Sequence, residues 1–483
     1  MKYCYLVSIL FIMACSSNKN SDSSTFVYCS EGSPSSFNPQ LITDGTSNNA
    51  SSKPLYDRLT QFKYGTSEVI PSLAKSWDIS TDGKEYIFHL QPNVKFHSNF
   101  GFTPSRNLNA DDIIFSFKRQ MDKENPYHKV GGGAYEYFYS MEMDKLINDI
   151  IKIDDLTVKF ILSKPETPFL ANLAMDFASI LSKEYADYLI GQNKKENIDN
   201  EPIGSGPFIF KSYVKDTLIR FNANPDYFQG SPKIKKLVFA ITPDASVRFQ
   251  KLKTGECHFV SYPSPTDLED MKKNPDINVI SQAGMNVGYL AFNVLKKPFD
   301  NKMVRIAINH ALNKKSYLDA IYLGQGETAK NPIPPTMWSY NNDVKEYDYD
   351  PAKAKEMLSQ AGFPRGFDAE LWTLPVSRPY NPNGKKMGEM MMADLAKIGV
   401  RVKLISYDWP TYLEKSKKGE HQLLQMGWTG DNGDPDNFLN VLLSCSASDA
   451  GANRAFWCNR KFDEIVIKAK SLTDIAERTK LYK

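Results

Sequence analysis

Apolar and polar positions alternate along several early stretches of this chain, and each alternation predicts a strand. Residues 25–29, 86–90, 157–162 and 207–213 show this two-residue period or an aromatic-rich form of it. Elsewhere the spacing is helical. A helix is predicted from Ala110, Asp111 and Asp112 through Phe115, Phe117 and Arg119, with the carboxylates at its positive end. Val304, Ala307, Ile308 and Ala311 mark a second within residues 298–312. A third is punctuated at both ends, with Asp350 as N-cap, Pro351 in the first turn and Gly362 as the stop. A methionine-rich fourth covers 385–398, and 465–482 reads as one further helix. The mixture follows no fixed repeat, which predicts an α/β fold.

Late in the chain an apolar run (Leu423, Leu424, Met426) predicts a strand leading into Gly427-Trp-Thr-Gly-Asp-Asn-Gly-Asp-Pro435. That strand would deliver Trp428, Thr429 and Asp431 to its own tip. Gly427 and Gly430 let backbone come close to something else, and an aromatic lies beside a carboxylate. The stretch reads as a pocket wall, with 432–438 as the turn that steadies it. A boundary between two parts of the chain is expected near Gly284, ahead of the strand-like residues 287–292.

A chain of 483 residues with 41% hydrophobic content can bury large cores and is expected to form two or more lobes. The 59 basic and 56 acidic residues nearly cancel and are interspersed, so no nucleic-acid partner is expected. The N-terminus points to export. Lys2 precedes a short apolar stretch, and Ile12-Met13-Ala14-Cys15 has the layout of a lipobox. Residues 1–15 are therefore expected to be a lipoprotein signal peptide, Cys15 the lipidation site and 16–25 a polar tether to the membrane. Four more cysteines, Cys29, Cys257, Cys445 and Cys458, suit an oxidising compartment, and three pairings are open to them. A local bridge between Cys445 and Cys458 would leave Cys29 with Cys257.

Enzyme motifs are poorly represented. Gly204-Ser-Gly206 fails the spacing of a nucleophile elbow and reads as a tight turn. No phosphate-binding loop or His-Glu-x-x-His occurs. A calcium loop starting at Asp431 would need glycine and glutamate where the chain has Asp436 and Leu442, so neither metal nor cofactor is expected. A secreted peptide hydrolase is the reading from an unrelated class. Recognition of a zwitterion is more economical: Asp431 would receive an ammonium group, and Arg378, stiffened by Pro375 and Pro379, would hold a carboxylate. Against it stands the ordinary fate of such residues, a solvated arginine and a turn aspartate.

Several blocks carry a resemblance. Pro71-Ser-Leu-Ala-Lys-Ser-Trp77, Ser80-Thr-Asp-Gly-Lys-Glu-Tyr-Ile-Phe-His-Leu90, Asn109-Ala-Asp-Asp112, Pro202-Ile-Gly-Ser-Gly-Pro-Phe208 and Tyr349-Asp-Pro-Ala-Lys-Ala-Lys355 resemble the family 5 solute-binding proteins of ABC peptide importers. Tyr28-Cys-Ser-Glu-Gly-Ser-Pro34, Ile241-Thr-Pro-Asp-Ala-Ser-Val-Arg248 and the stretch at 427–435 are similar to the dipeptide-binding members, with haem- or glutathione-binding members of the same fold as the alternative.

The resemblance implies a two-lobed periplasmic binding protein fold of type II, with an extra subdomain in lobe I and ligand in the interlobe cleft. Lobe I would run from 26 to 283 with the subdomain at about 54–201. Lobe II would run from 284 to 483, lacking the C-terminal stretch that in the family returns to lobe I. The same resemblance implies ligand contacts from Thr43 and Gly45 on one side. From the other side would come Arg378, Trp428, Thr429, Gly430 and Asp431, with Asp431 on the peptide amine and Arg378 on its carboxylate. It carries over the disulfides Cys29–Cys257 and Cys445–Cys458. It also implies a monomeric periplasmic receptor, anchored by lipid, that serves ABC permease subunits and performs no catalysis.

Overall fold

The computed structural model describes residues 24–450 and 452–483. The expected signal peptide, the lipidation site Cys15 and residues 16–23 of the tether lie outside the described residues. Two mixed sheets organise two lobes. In the first, strands Phe259–Val260, Thr25–Ser30, Lys236–Ile241, Leu218–Ala223 and Phe208–Val214 lie side by side in that order, the first three parallel. In the second the order is Asn286–Phe292, Leu423–Thr429, Asp368–Trp372 and Arg401–Ile405. A third, antiparallel sheet is formed by Ala74–Ile79, Glu85–Leu90, Thr157–Leu162 and Ile147–Asp154, and the short strands Thr60–Phe62 and Val69–Pro71 pair beside it.

The alternation expected at 86–90 and 157–162 is present residue by residue. Tyr86, Phe88 and Leu90 point inward, as do Val158, Phe160 and Leu162. Phe160 meets Phe88 and Phe117 edge-on, with centroids 5.6 and 5.1 Å apart, so the helix Ala110–Met121 covers this sheet. Asn109 caps that helix in a reciprocal box with Asp112, which also takes both arms of Arg106 at 2.6 and 2.9 Å. The other predicted helices form as Lys302–Ala311, Pro351–Gln360 and Gly384–Ala396. Asp350 accepts from the Lys353 N–H, and Gly362 takes the left-handed φ of +93° that a helix stop favours.

Two local expectations need correcting. The single helix expected over 465–482 is two, Arg460–Ser471 and Ile475–Tyr482. Leu472 is extended, and Asp474 turns its side chain onto the Glu477 N–H, starting a new helix where apolar spacing alone would have continued the old one. The turn expected over 432–438 ends at Pro435, because the helix Asp436–Leu443 begins at once.

Both disulfides carry the expected pairing. Cys29 joins Cys257 with Cα atoms 5.7 Å apart, and Cys445 joins Cys458 at 4.5 Å. The first bridge holds the end of the strand Thr25–Ser30 just before Glu31.

Gly204 and Gly206 form a turn packed against the backbone of the helix Ser52–Leu55. The Gly206 N–H donates to the Leu55 carbonyl at 2.9 Å, and a Cβ on Gly204 would lie 1.8 Å from that same oxygen. Ser205 donates to Asp57 at 2.7 Å, so its hydroxyl is spent on structure. Gly204→Ala is expected to cost about 1–3 kcal/mol through overpacking against immovable backbone. Urea denaturation of the two proteins measures it, and an unchanged midpoint would show that the turn can shift aside.

Candidate functional site

Arg378 is 5% exposed, buried at the seam between the lobes. It follows the strand Asp368–Trp372 on a loop pinched by two hydrogen bonds between the backbones of Arg378 and Asn381, both 3.0 Å. One guanidinium nitrogen donates to Glu31 at 2.8 Å, and another donates to the Thr46 hydroxyl at 2.7 Å. Thr46 in turn donates to the same Glu31 oxygen at 2.8 Å, and the Tyr28 hydroxyl donates to the other at 2.9 Å. Trp409 lies under the guanidinium, 4.6 Å from ring centroid to its carbon. The indole N–H donates to Asp44, which caps the helix Gly45–Ala50. Burial alone would raise the Glu31 carboxyl, but the Arg378 charge and the donors around it hold it below the usual range. On Arg378 burial disfavours the charge, and Glu31 together with Tyr380, Asp44 and Tyr262 more than restores it.

Asp431 closes the strand Leu423–Thr429 as expected. It stands on the same seam, yet its setting is the reverse of Arg378's. Its partner from the other lobe is a neutral hydroxyl, that of Tyr137. Burial pushes the carboxyl up to about 7, Asp176 adds to the rise, and the Tyr137 bond and the Lys53 charge offset only part of it. The loop is tied from behind by Asn437, whose carbonyl oxygen accepts from the Asp431 N–H at 2.9 Å and from the Trp428 indole at 3.1 Å. Asp434 and Asp436 belong to a different charge cluster, with Glu166, Lys470 and Arg478. Asp434 pairs with Arg478 at 2.7 Å, and Asp436 is wholly buried at the start of its helix.

Beside these two groups runs a strand with one open edge. Asn286–Phe292 flanks Leu423–Thr429 along its whole length, whereas Asp368–Trp372 pairs only with Leu423 and Leu424. From Gln425 onward the second edge therefore has no ladder neighbour among the described residues. Trp428 is half-buried and packs edge-on against Tyr137 at 5.5 Å, Thr429 is exposed, and the Gly430 N–H donates to Met285. Tyr380 lies over Gly427 and Gly288, where a Cβ would fall 2.2 Å and 2.3 Å from its atoms. Thr43 and Gly45 sit on either side of Asp44, and the space beside Gly45 is open.

Spacing and composition did not single out Glu31, Thr46, Trp409, Tyr137 or Asn437. Glu31 lies inside the block 28–34 and Tyr380 next to Arg378, so part of the signal was adjacent. Thr46 and Tyr137 come from 332 and 294 positions away. A cavity of about 600 Å³ lies beside Asn286–Phe292, with Leu290, Phe292, Tyr322 and Met391 among its walls, and reaches Tyr380 and Asn381.

Farther along the seam, Glu136 takes Arg454 at 2.8 Å and Lys417 at 2.6 Å. Burial would raise its carboxyl, but the two cations hold it below the usual range.

Comparison with known proteins agrees with this architecture. The family model for bacterial extracellular solute-binding proteins, family 5, matches residues 68–450, and the chain belongs to that family. It is 54% identical over 459 residues to the dipeptide-binding protein of Escherichia coli (strain K12), covering 95% of this chain and 86% of that one. It is 47% identical over 465 residues to heme-binding protein A of Haemophilus influenzae, covering 96% and 85%. Among solved structures, the dipeptide-binding protein of Pseudoalteromonas sp. SM9913 in complex with Met-Leu superposes with a TM-score of 0.92 at 43% identity, covering 95% and 90%.

The Glu136 cluster yields a direct expectation. Glu136→Gln leaves a buried arginine without its counter-charge and is expected to cost about 3–5 kcal/mol of stability. Chemical denaturation reads the loss, and a change below about 1 kcal/mol would mean that water already screens the cluster.

Proposed function

We propose that this family 5 solute-binding protein is an extracytoplasmic receptor that captures dipeptides by their two terminal charges and delivers them to an ABC importer. One observation carries the reading. A buried guanidinium and a half-buried carboxylate stand on one seam, each following a strand of the same sheet, beside a strand edge that is open. A peptide backbone can add to such an edge through main-chain hydrogen bonds that ignore side-chain identity. Trp428, Thr429 and Gly430 would supply one wall and Thr43 with Gly45 the other. Asp431 takes the amine and Arg378 the carboxylate. The E. coli relative's dipeptide-binding name and the Met-Leu complex of the solved relative support the same ligand class.

The wider assignment follows from this role. Lobe I comprises 26–283 with its subdomain at about 54–201, and lobe II comprises 284–483. The protein binds without catalysis, acts as a monomer, and is held near its permease by lipid on Cys15 after removal of residues 1–14. Haem or glutathione binding is the second reading, carried by the 47% identity to a heme-binding protein. Separate titrations with haem and with a dipeptide discriminate the two.

Arg378→Ala and Asp431→Ala are each expected to weaken dipeptide binding by about 2–5 kcal/mol, the scale for removing one side of a buried charge pair. Calorimetry reporting unchanged affinity in both variants would sink the assignment. The Asp431 carboxyl, pushed up to about 7 in the empty cleft, adds a pH signature. An ammonium group pairs with the carboxylate, so below that value a proton must leave as the ligand enters. Affinity should rise with pH by up to about tenfold per unit between about pH 5 and 7 and then level off. Asp431→Asn should remove the slope. A wild-type affinity that stays flat across this window would count against the amine anchor.

A further inference from the structure

Arg378 does not wait for its ligand as a bare cation. Glu31, 1% exposed, already holds one of its nitrogens, and the Thr46 hydroxyl bridges the two side chains. A guanidinium has five N–H donors; Glu31, Thr46 and the Ser377 carbonyl take three here, and the Tyr380 hydroxyl bonds the same side chain. An incoming carboxylate must therefore share Arg378 with partners it already has. The charges around them are already answered. Glu31 and Asp44 act on Arg378, and Glu31 and Asp244 act on Arg248, 1% exposed. Three carboxylates thus meet two guanidiniums. Arg248 is fixed by carbonyl oxygens of Thr242, Pro243 and Tyr262 at 2.9, 2.6 and 3.1 Å, so it cannot swing over to a ligand without breaking all three bonds.

We propose that Glu31 sets how strongly this cleft demands a free C-terminal carboxylate, by acting as an internal carboxylate that shares Arg378 with the ligand. A peptide acid entering this cluster adds one further unmatched negative charge and competes with Glu31 for the guanidinium. A peptide with a neutral C-terminus, an amide for example, adds none and leaves the Arg378–Glu31 pair intact. Glu31 thus tempers the preference that an unpaired buried arginine would impose. It positions the fork through Thr46 and at the same time lowers the selectivity of the fork. Such a receptor admits C-terminally blocked dipeptides as well as free ones. The inference rests on the dipeptide reading and specifies which termini that reading allows.

The test is the ratio of dissociation constants for one dipeptide as its C-terminal amide and as its free acid, measured by calorimetry. In Glu31→Gln the side chain still offers an acceptor to Arg378 and Thr46, but the competing charge is gone. The ratio is expected to rise at least tenfold over wild type. Tyr28→Phe, which leaves every charge in place, removes a donor from Glu31, so Glu31 holds Arg378 more tightly and the ratio should fall about threefold. A merely structural role would change both constants together and leave the ratio where it was. A ratio in Glu31→Gln within threefold of wild type overturns the proposal; if that variant does not fold, an unchanged or raised ratio in Tyr28→Phe does so. A wild-type protein that retains neither acid nor amide would overturn the dipeptide reading itself, which is a separate outcome.

Discussion

A buried guanidinium must be answered by a negative charge, and much of the seam between the lobes is arranged around that requirement at Arg378. Glu31 provides the answer in the absence of ligand, and it can do so because the strand Thr25–Ser30 ends one residue before it. The Cys29–Cys257 bridge holds that strand end in place. Thr46 reaches the pair from the helix Gly45–Ala50, and the N-cap of that helix, Asp44, fixes the indole of Trp409 under the guanidinium. A disulfide, a helix cap and an aromatic face all converge on one cation. Each of these devices restricts rotation, so the guanidinium is held in one orientation before any further pairing.

The Asp431 end follows a different logic. Its lobe I partner is a hydroxyl, which satisfies a hydrogen bond without matching a charge. Burial then disfavours the anion and pushes the carboxyl up to about 7, so both protonation states are accessible near neutral pH. The two groups are therefore held unequally: Arg378 is charged and internally paired, whereas Asp431 is bonded to a neutral hydroxyl. Asn437 makes this arrangement possible by fixing the Asp431 N–H and the Trp428 indole with a single oxygen, so the carboxylate keeps its direction whether protonated or not.

What could be read from the sequence was whatever depends on near neighbours. Asp350, Pro351 and Gly362 mark a helix because caps and stops act within one turn, and Tyr86, Phe88 and Leu90 mark a strand because the pleat repeats every two residues. Arg378 and Asp431 stood out through the motifs around them. Their partners did not, since Glu31 is 347 positions from Arg378, Tyr137 is 294 from Asp431, and Trp409 is 365 from Asp44. No local period encodes such meetings. Local chemistry was also where two expectations failed: Asp474 and Pro435 end or start backbone patterns that apolar spacing over 465–482 and the acidic composition of 432–438 had smoothed over.

The seam itself is asymmetric in a way that bears on how a ligand enters. On the side of the C-terminal helices it resembles a core. Phe438, Val441, Ala447 and Val466 join one apolar cluster with Phe138, Met141 and Phe177, and the helix Cys445–Ala450 packs on the helix Glu136–Ser140. Opening there would expose apolar surface at roughly 25 cal/mol per Å² and strand the Glu136 cluster as well. On the Arg378 side the contacts are hydrogen bonds and ion pairs between groups that water can also satisfy: Arg378 with Glu31 and Thr46, Trp409 with Asp44, Ser377 with the Tyr262 carbonyl at 3.3 Å. Exchanging such partners for water and then for a peptide costs far less than parting an apolar core. The geometry therefore favours separation at the polar edge, the side that can be rewetted, about a firm apolar margin.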